Sequence, residues 1–123
     1  MSIADAKPIP GTALERAASA LRVLAHPDRL RIIECVEVTA RSVGEIAERC
    51  GLAPAACSQH LSQMRAHGLV ASKRLGRSVL YHVSDPRALS VIECIRAHLV
   101  DPAVTPGSGR AGQVPAGKGR RKE

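Results

Sequence analysis

Tryptophan and phenylalanine are absent from this 123-residue chain, and Tyr81 is its single aromatic side chain. Aromatic rings are the largest burial units a core can use. One small core of Leu, Ile, Val, Ala and Met must therefore hold the fold, and the length suits one domain. Such a core is marginal alone, which favours support from a partner subunit. Long apolar runs are lacking too. None approaches the roughly 18 residues of a membrane span. Met1 to Pro10 has no apolar stretch behind a basic start, so no secretory leader is expected. The expected location is the cytoplasm, with no membrane partner. Cys35, Cys50, Cys57 and Cys94 contain no CxxC, and in a reducing compartment they imply no disulfide framework. A Gly-rich phosphate loop, GxSxG and HExxH are all missing. No catalytic residue is assigned, and the expectation is a protein that is not an enzyme.

Charge is what the chain has. Lys plus Arg number 18 against 11 Asp plus Glu, a formal +7. Much of the excess sits after Asp101, where Arg110, Lys118, Arg120, Arg121 and Lys122 face only Glu123. Rich in Gly and Pro, this stretch cannot bury enough apolar surface to offset ordering entropy. It reads as a disordered basic tail over 102–123, either an arm attracted to nucleic acid or a solubilising extension. Between Glu48 and Asp85 there is no acid at all, while Arg49, Arg65, Lys73, Arg74 and Arg77 fall in that stretch. A surface of one sign suits a polyanion.

Residues 1–11 read as a flexible lead-in. Thr12 to Glu15 fits a capping box, and Leu14, Ala17, Ala18, Leu21, Leu24 and Ala25 follow at helical spacing. His26-Pro27 breaks that helix and opens a second one to about Val38, with Leu30, Ile33 and Val36 inward. Ser42 to Glu45 is another capping box. The short helix it opens ends at Cys50-Gly51. Pro54 then starts a fourth helix running to about His67. Two short helices across a tight Gly-containing turn make a helix-turn-helix signature. A β-hairpin is expected next, Leu69 to Arg74 and Arg77 to Val83 around Leu75-Gly76. Asp85-Pro86 caps a fifth helix to about Val100. The fold class is mostly α with a small β-hairpin wing, and the folded domain spans 12–101.

At 100° per residue, Cys57, Leu61 and Met64 share the inward face of the fourth helix. Ala55, Ser58, Gln59, Ser62 and Ala66 lie opposite, with Gln63 at the margin. That face is short-chained, polar and uncharged, so it can enter a major groove without repelling phosphates. Ser58, Gln59 and Ser62 are the candidate base readers, and Ala55 suits a thymine methyl. Arg65, Lys73, Arg74 and Arg77 would grip phosphates or the minor groove. The competing reading is a winged helix whose basic hairpin meets an acidic protein partner.

Several runs then carry a resemblance, in order: Leu24-Ala-His-Pro-Asp-Arg-Leu-Arg-Ile-Ile33, Ser42-Val-Gly-Glu-Ile-Ala47, Gly51-Leu52, Ser58-Gln-His-Leu61, Gly68-Leu-Val70 and Gly76-Arg-Ser-Val-Leu-Tyr81. Over about residues 12–101 the chain resembles the ArsR/SmtB family of winged helix-turn-helix transcriptional repressors. The resemblance implies a homodimer made by the first and fifth helices. It also implies binding to an imperfect inverted repeat in double-stranded DNA, repressing until a small inducer arrives. The fifth helix agrees, being apolar on more than one face.

What is sensed stays open. Metal sensors of the family carry a Cys pair where this chain has Ser42-Val43-Gly44. The family's zinc site falls on Asp85, Arg87, His98 and Asp101, and Arg87 replaces an imidazole. Cys94, His98 and Asp101 share a helix face and could hold zinc with Asp85 of a second copy. Equally, Asp85 can be an N-cap, Cys94 packing, His98 a dipole partner and Asp101 a helix end. Family thiol sensors use the second and fifth helices, which here hold Cys35 and Cys94, out of register with those thiols. Cys57 reads as packing and Cys50 as an ordinary surface thiol. No cofactor is certain, and an unknown inducer or none is the remaining possibility.

Overall fold

A computed structural model describes residues 6–100. Its elements are α1 (Gly11–Leu24), α2 (Pro27–Val36), α3 (Val43–Cys50), α4 (Pro54–Ala66), β1 (Val70–Leu75), β2 (Ser78–Val83) and α5 (Pro86–His98). This is the winged helix-turn-helix order that the sequence predicts. The chain divides into two compact units at Ile92–Glu93, inside α5. The expected basic tail and Asp101 lie outside the described residues, as do residues 1–5 of the expected lead-in.

Local chemistry explains most element ends. Ser42 accepts a hydrogen bond from the Glu45 N–H at 3.2 Å, and a Glu45 carboxylate oxygen accepts from the Ser42 N–H at 3.0 Å. The capping box is therefore closed in both directions. Gly51 ends α3 in the left-handed region, at φ 69°, where a Cβ would be strained. Pro27 and Pro54 occupy the first turns of α2 and α4. The expected capping box at Thr12 does not form. Helix α1 starts two residues earlier than that box implies, at Gly11, and Pro10 is its N-cap without a side-chain bond. Thr12 thus lies inside the first turn, where its hydroxyl cannot serve as the N-cap. Helix α2 stops at Val36, two residues short of the expected end. Its cap is one the sequence did not suggest: the His26 ring accepts from the Asp28 N–H at 3.1 Å.

The hairpin is shifted by one residue from expectation. Leu75 pairs with Ser78, so Gly76 and Arg77 form a two-residue turn. Gly76 sits at φ 64°, the positive φ that the turns matching strand twist require. Arg77 is therefore at the tip rather than in β2. At its base the hairpin is clasped by Ser84, whose hydroxyl donates to the Gly68 carbonyl at 2.8 Å. Arg41 extends the ladder, exchanging backbone hydrogen bonds with Tyr81 at 3.1 and 2.8 Å.

The core of the first unit joins Ile32, Ile33 and Val36 of α2, Ile46 and Ala47 of α3, Cys57, Leu61 and Met64 of α4, and Leu69 and Val70 at the hairpin. All are aliphatic or sulfur-bearing, as the lack of aromatics demands. Each large side chain so buried contributes about 1.5–3 kcal/mol. Leu14 and Leu21 of α1 are instead exposed, as are Leu99 and Val100 beyond α5.

Candidate nucleic-acid interface

Helix α4 is held from three sides. Its own apolar stripe, Cys57, Leu61 and Met64, is fully buried. The capped α3 and the turn at Gly51–Ala53 fix its start. At its far end Arg65 donates to the Ser72 hydroxyl of β1 at 3.2 Å, which joins the helix to the hairpin. Everything the sequence assigned to the outer face is exposed: Ala55, Ser58, Gln59, Ser62, Ala66 and Gln63. Arg65, Lys73, Arg74 and Arg77 are exposed as well. Lys73 and Arg74 are consecutive in β1, so they leave opposite faces of the ribbon. Arg77 takes its tip. The helix thus presents uncharged polar groups up to Arg65 in its last turn, and the wing beside it presents further cations.

A second set of residues behind α4 went unnoticed in the sequence. Arg29 of α2 donates its Nε–H to His60 Nδ1 at 3.1 Å and one terminal N–H to the Val23 carbonyl at 3.0 Å. His26 and His60 meet edge to face, with ring centroids 4.7 Å apart. Asp28 Oδ2 lies 3.9 Å from His60 Nε2. The cluster ties the end of α1, the start of α2 and the middle of α4 together. Burial, His26 and Arg29 hold the His60 imidazole pKa below its usual value, with Asp28 opposing them. The only sequence trace was the His-Pro-Asp-Arg run and a histidine flanked by exposed Gln59 and buried Leu61.

His26, Asp28 and His60 place potential ligand atoms within 4.8 Å of one another, so a metal centre is the first reading to weigh. The hydrogen bonds argue against it. In both rings Nδ1 accepts, from Asp28 N–H and from Arg29 Nε–H. Each neutral ring therefore carries its proton on Nε2. A metal at Nε2 needs the opposite tautomer, with Nδ1–H donating outward. The trio is a hydrogen-bonded brace.

The expected metal ligands fare unevenly. Arg87 grips both Asp85 oxygens, its Nε at 3.1 and 2.9 Å and Nη2 at 2.5 Å, and its backbone N–H adds a bond at 2.9 Å. The guanidinium depresses the Asp85 pKa. A cation would have to displace it. Cys94 and His98 are exposed and belong to the second unit. Cys35, half-buried in α2, shares a cleft with Cys50, which is half-buried too and so differs from the surface thiol expected.

Comparison with known proteins agrees with this geometry. A helix-turn-helix domain family matches residues 24–73. The chain is 36% identical to the nodulation protein NolR of Rhizobium meliloti, over 63% of this chain and 64% of that one. It is 32% identical to the HTH-type transcriptional repressor SmtB of Mycobacterium tuberculosis, over 79% of this chain and 72% of that one. The crystal structure of NolR from Sinorhizobium fredii superimposes with a TM-score of 0.65 at 29% identity, covering 75% of this chain and 95% of that one. A homodimeric winged helix-turn-helix DNA-binding domain from Mycobacterium bovis has a TM-score of 0.63 at 22% identity, covering 77% and 88%, and so shares the fold. Sequence motifs, architecture and relatives converge: this chain belongs to the ArsR/SmtB family of winged helix-turn-helix, DNA-binding transcriptional regulators.

Proposed function

We propose that the protein is a cytoplasmic homodimeric repressor that binds an inverted repeat in duplex DNA and leaves it when an inducer arrives. The carrying observation is the division of labour on α4 and the wing. Cys57, Leu61 and Met64 are withdrawn from solvent, and every outward residue beside them is free to meet a ligand. In this reading α4 enters the major groove. Ser58, Gln59 and Ser62 bond base edges, Ala55 contacts a thymine methyl, and Gln63 serves the margin. Arg65 clamps a phosphate, and Lys73, Arg74 and Arg77 follow the backbone or minor groove.

A second copy is called for by apolar side chains without cover. Leu14 and Leu21 on α1 are about half exposed, and Leu99 beyond α5 is 75% exposed. A two-fold axis through such helices would present two α4 helices to successive major grooves. For the inducer, zinc held by Cys94 and His98 with Asp85 and Asp101 is one candidate, though Arg87 competes for Asp85. A Cys35–Cys94 thiol pair is another.

Footprinting on promoter DNA, run across a salt series with and without reductant and metal, tests the proposal. The expected result is a protected inverted repeat with affinity falling steeply as salt rises. An acidic protein partner bound in place of DNA, with no protected repeat, overturns it.

A further inference from the structure

Cys35, near the end of α2, and Cys50, the last residue of α3, line one cleft of about 280 Å³. Its other walls are Arg31, Arg41, Arg49 and Glu34. Glu34 pairs with Arg31, and Arg41 is pinned by donating its Nε–H to the Cys35 carbonyl at 3.0 Å. Three guanidiniums against one carboxylate leave the cleft positive. A bare metal cation would be repelled there, whereas a thiol-reactive anion would be drawn in. Both cysteines are half-buried and line the cleft, so a small molecule that enters it meets them.

We propose that Cys35 and Cys50 form an exchange site for anionic low-molecular-weight disulfides, closing to an intrachain Cys35–Cys50 disulfide. The Cys35 thiolate attacks one sulfur of the incoming R–S–S–R. A Cys35–S–S–R bond forms, and R–S⁻ leaves with the proton that Cys35 gave up. Cys50 then attacks Cys35 Sγ, the second R–S⁻ leaves with the Cys50 proton, and the bridge is complete. The two protein thiols are oxidised, and one small disulfide is reduced to two thiols.

The order of attack follows from the thiols' surroundings. The Cys50 pKa is pushed up to about 12, by burial first and then by the charge and hydrogen bonding of Cys35. Cys50 therefore keeps its proton more firmly than an ordinary thiol and is the second to react. Cys57 is a poor competitor, because it is fully buried.

The bridge would tie α2 to the end of α3, directly before the turn into α4. Any effect on operator binding rests on the DNA reading above, but the chemistry does not, and it is read by mass. The test uses the full chain carrying Cys94→Ser, since Cys94 is exposed. Reduced protein is treated with oxidised glutathione, an anionic disulfide, or with cystamine, a cationic one. Intact mass and peptide maps are followed over time. The expected product is a Cys35–Cys50 linked peptide with loss of two hydrogens. Cys50→Ser should stall with glutathione on Cys35, and Cys35→Ser should give no bridge. Oxidised glutathione should react about tenfold faster than cystamine at low salt. Added salt, or Arg31→Gln with Arg49→Gln, should shrink that preference. A bridge mapped to another pair, a Cys50→Ser protein that does not accumulate the mixed disulfide, or cystamine reacting as fast as oxidised glutathione overturns the proposal.

Discussion

Helices α4 and α5 are each 13 residues long, yet they differ in how fully their apolar side chains are covered. In α4 the apolar stripe is spent inside the fold, and what remains is mostly Ser, Gln and Ala, with Arg65 the one exposed charge, in its last turn. In α5 only Ala88 and Ile92 are buried, and Leu99 and Val100 just beyond it stay in solvent. A polar, short-chained face has no need of cover and can exchange its water for another polar surface. An apolar face in water is a cost that a matching apolar face removes. In the proposed function the difference separates two tasks, ligand contact and self-association, between two helices of equal length.

The comparison breaks most severely at its buried end. Leu61→Ala should cost about 2–5 kcal/mol of stability, seen as a lower urea midpoint, because Leu61 anchors α4 to the core. A variant of unchanged stability would mean that α4 is not fixed by its inner stripe. Next in size is Leu99→Lys. Leu burial supplies about 1.5–3 kcal/mol per side chain, so sedimentation should show the dimer dissociating at higher protein concentration. A dimer of undiminished strength would remove Leu99 from the interface. The wing and the helix should then part company. Arg74→Ala with Arg77→Ala should weaken binding to all DNA alike, with a log–log salt slope shallower by roughly 0.9 for each phosphate no longer neutralised. Gln59→Ala should instead cost about 1–3 kcal/mol at one base pair and leave other positions alone. Equal losses on every sequence would deny Gln59 a reading role.

The smallest expected effect is a pH dependence behind α4. Its folded-state environment depresses the His60 pKa below the ordinary value of about 6.5. Neutral His60 then contributes stability above that ordinary value, and the contribution is lost as pH falls through it toward the depressed one. Thermal melts from pH 7 to about 5 should slope less in His60→Gln than in the parent chain. Identical slopes would show that the proton carries no such linkage.

Much of the fold was legible because its signals are local. Ser42 with Glu45, Gly51, Pro54 and Gly76 each satisfy a rule that spans four residues or fewer. The outer face of α4 was legible for the same reason, since helical periodicity assigns it without knowledge of neighbours. What stayed hidden depends on distant contact. Arg29 meets His60 across 31 positions, and Cys35 reaches the cleft of Cys50 only once α2 packs on α3. Cys50 read alone looked like any surface thiol. The Thr12 box failed for another reason: a valid capping pattern loses when the helix can start two residues sooner, behind Pro10.

The bond from Arg65 to Ser72 carries one more implication. It spans the junction between the part that would discriminate bases and the part that would hold the sugar–phosphate chain. A cross-tie there would couple the two like the jaws of a calliper. A groove of the wrong width, closing on one jaw, would then pull the other out of register, so that discrimination by shape and discrimination by base edge become one measurement.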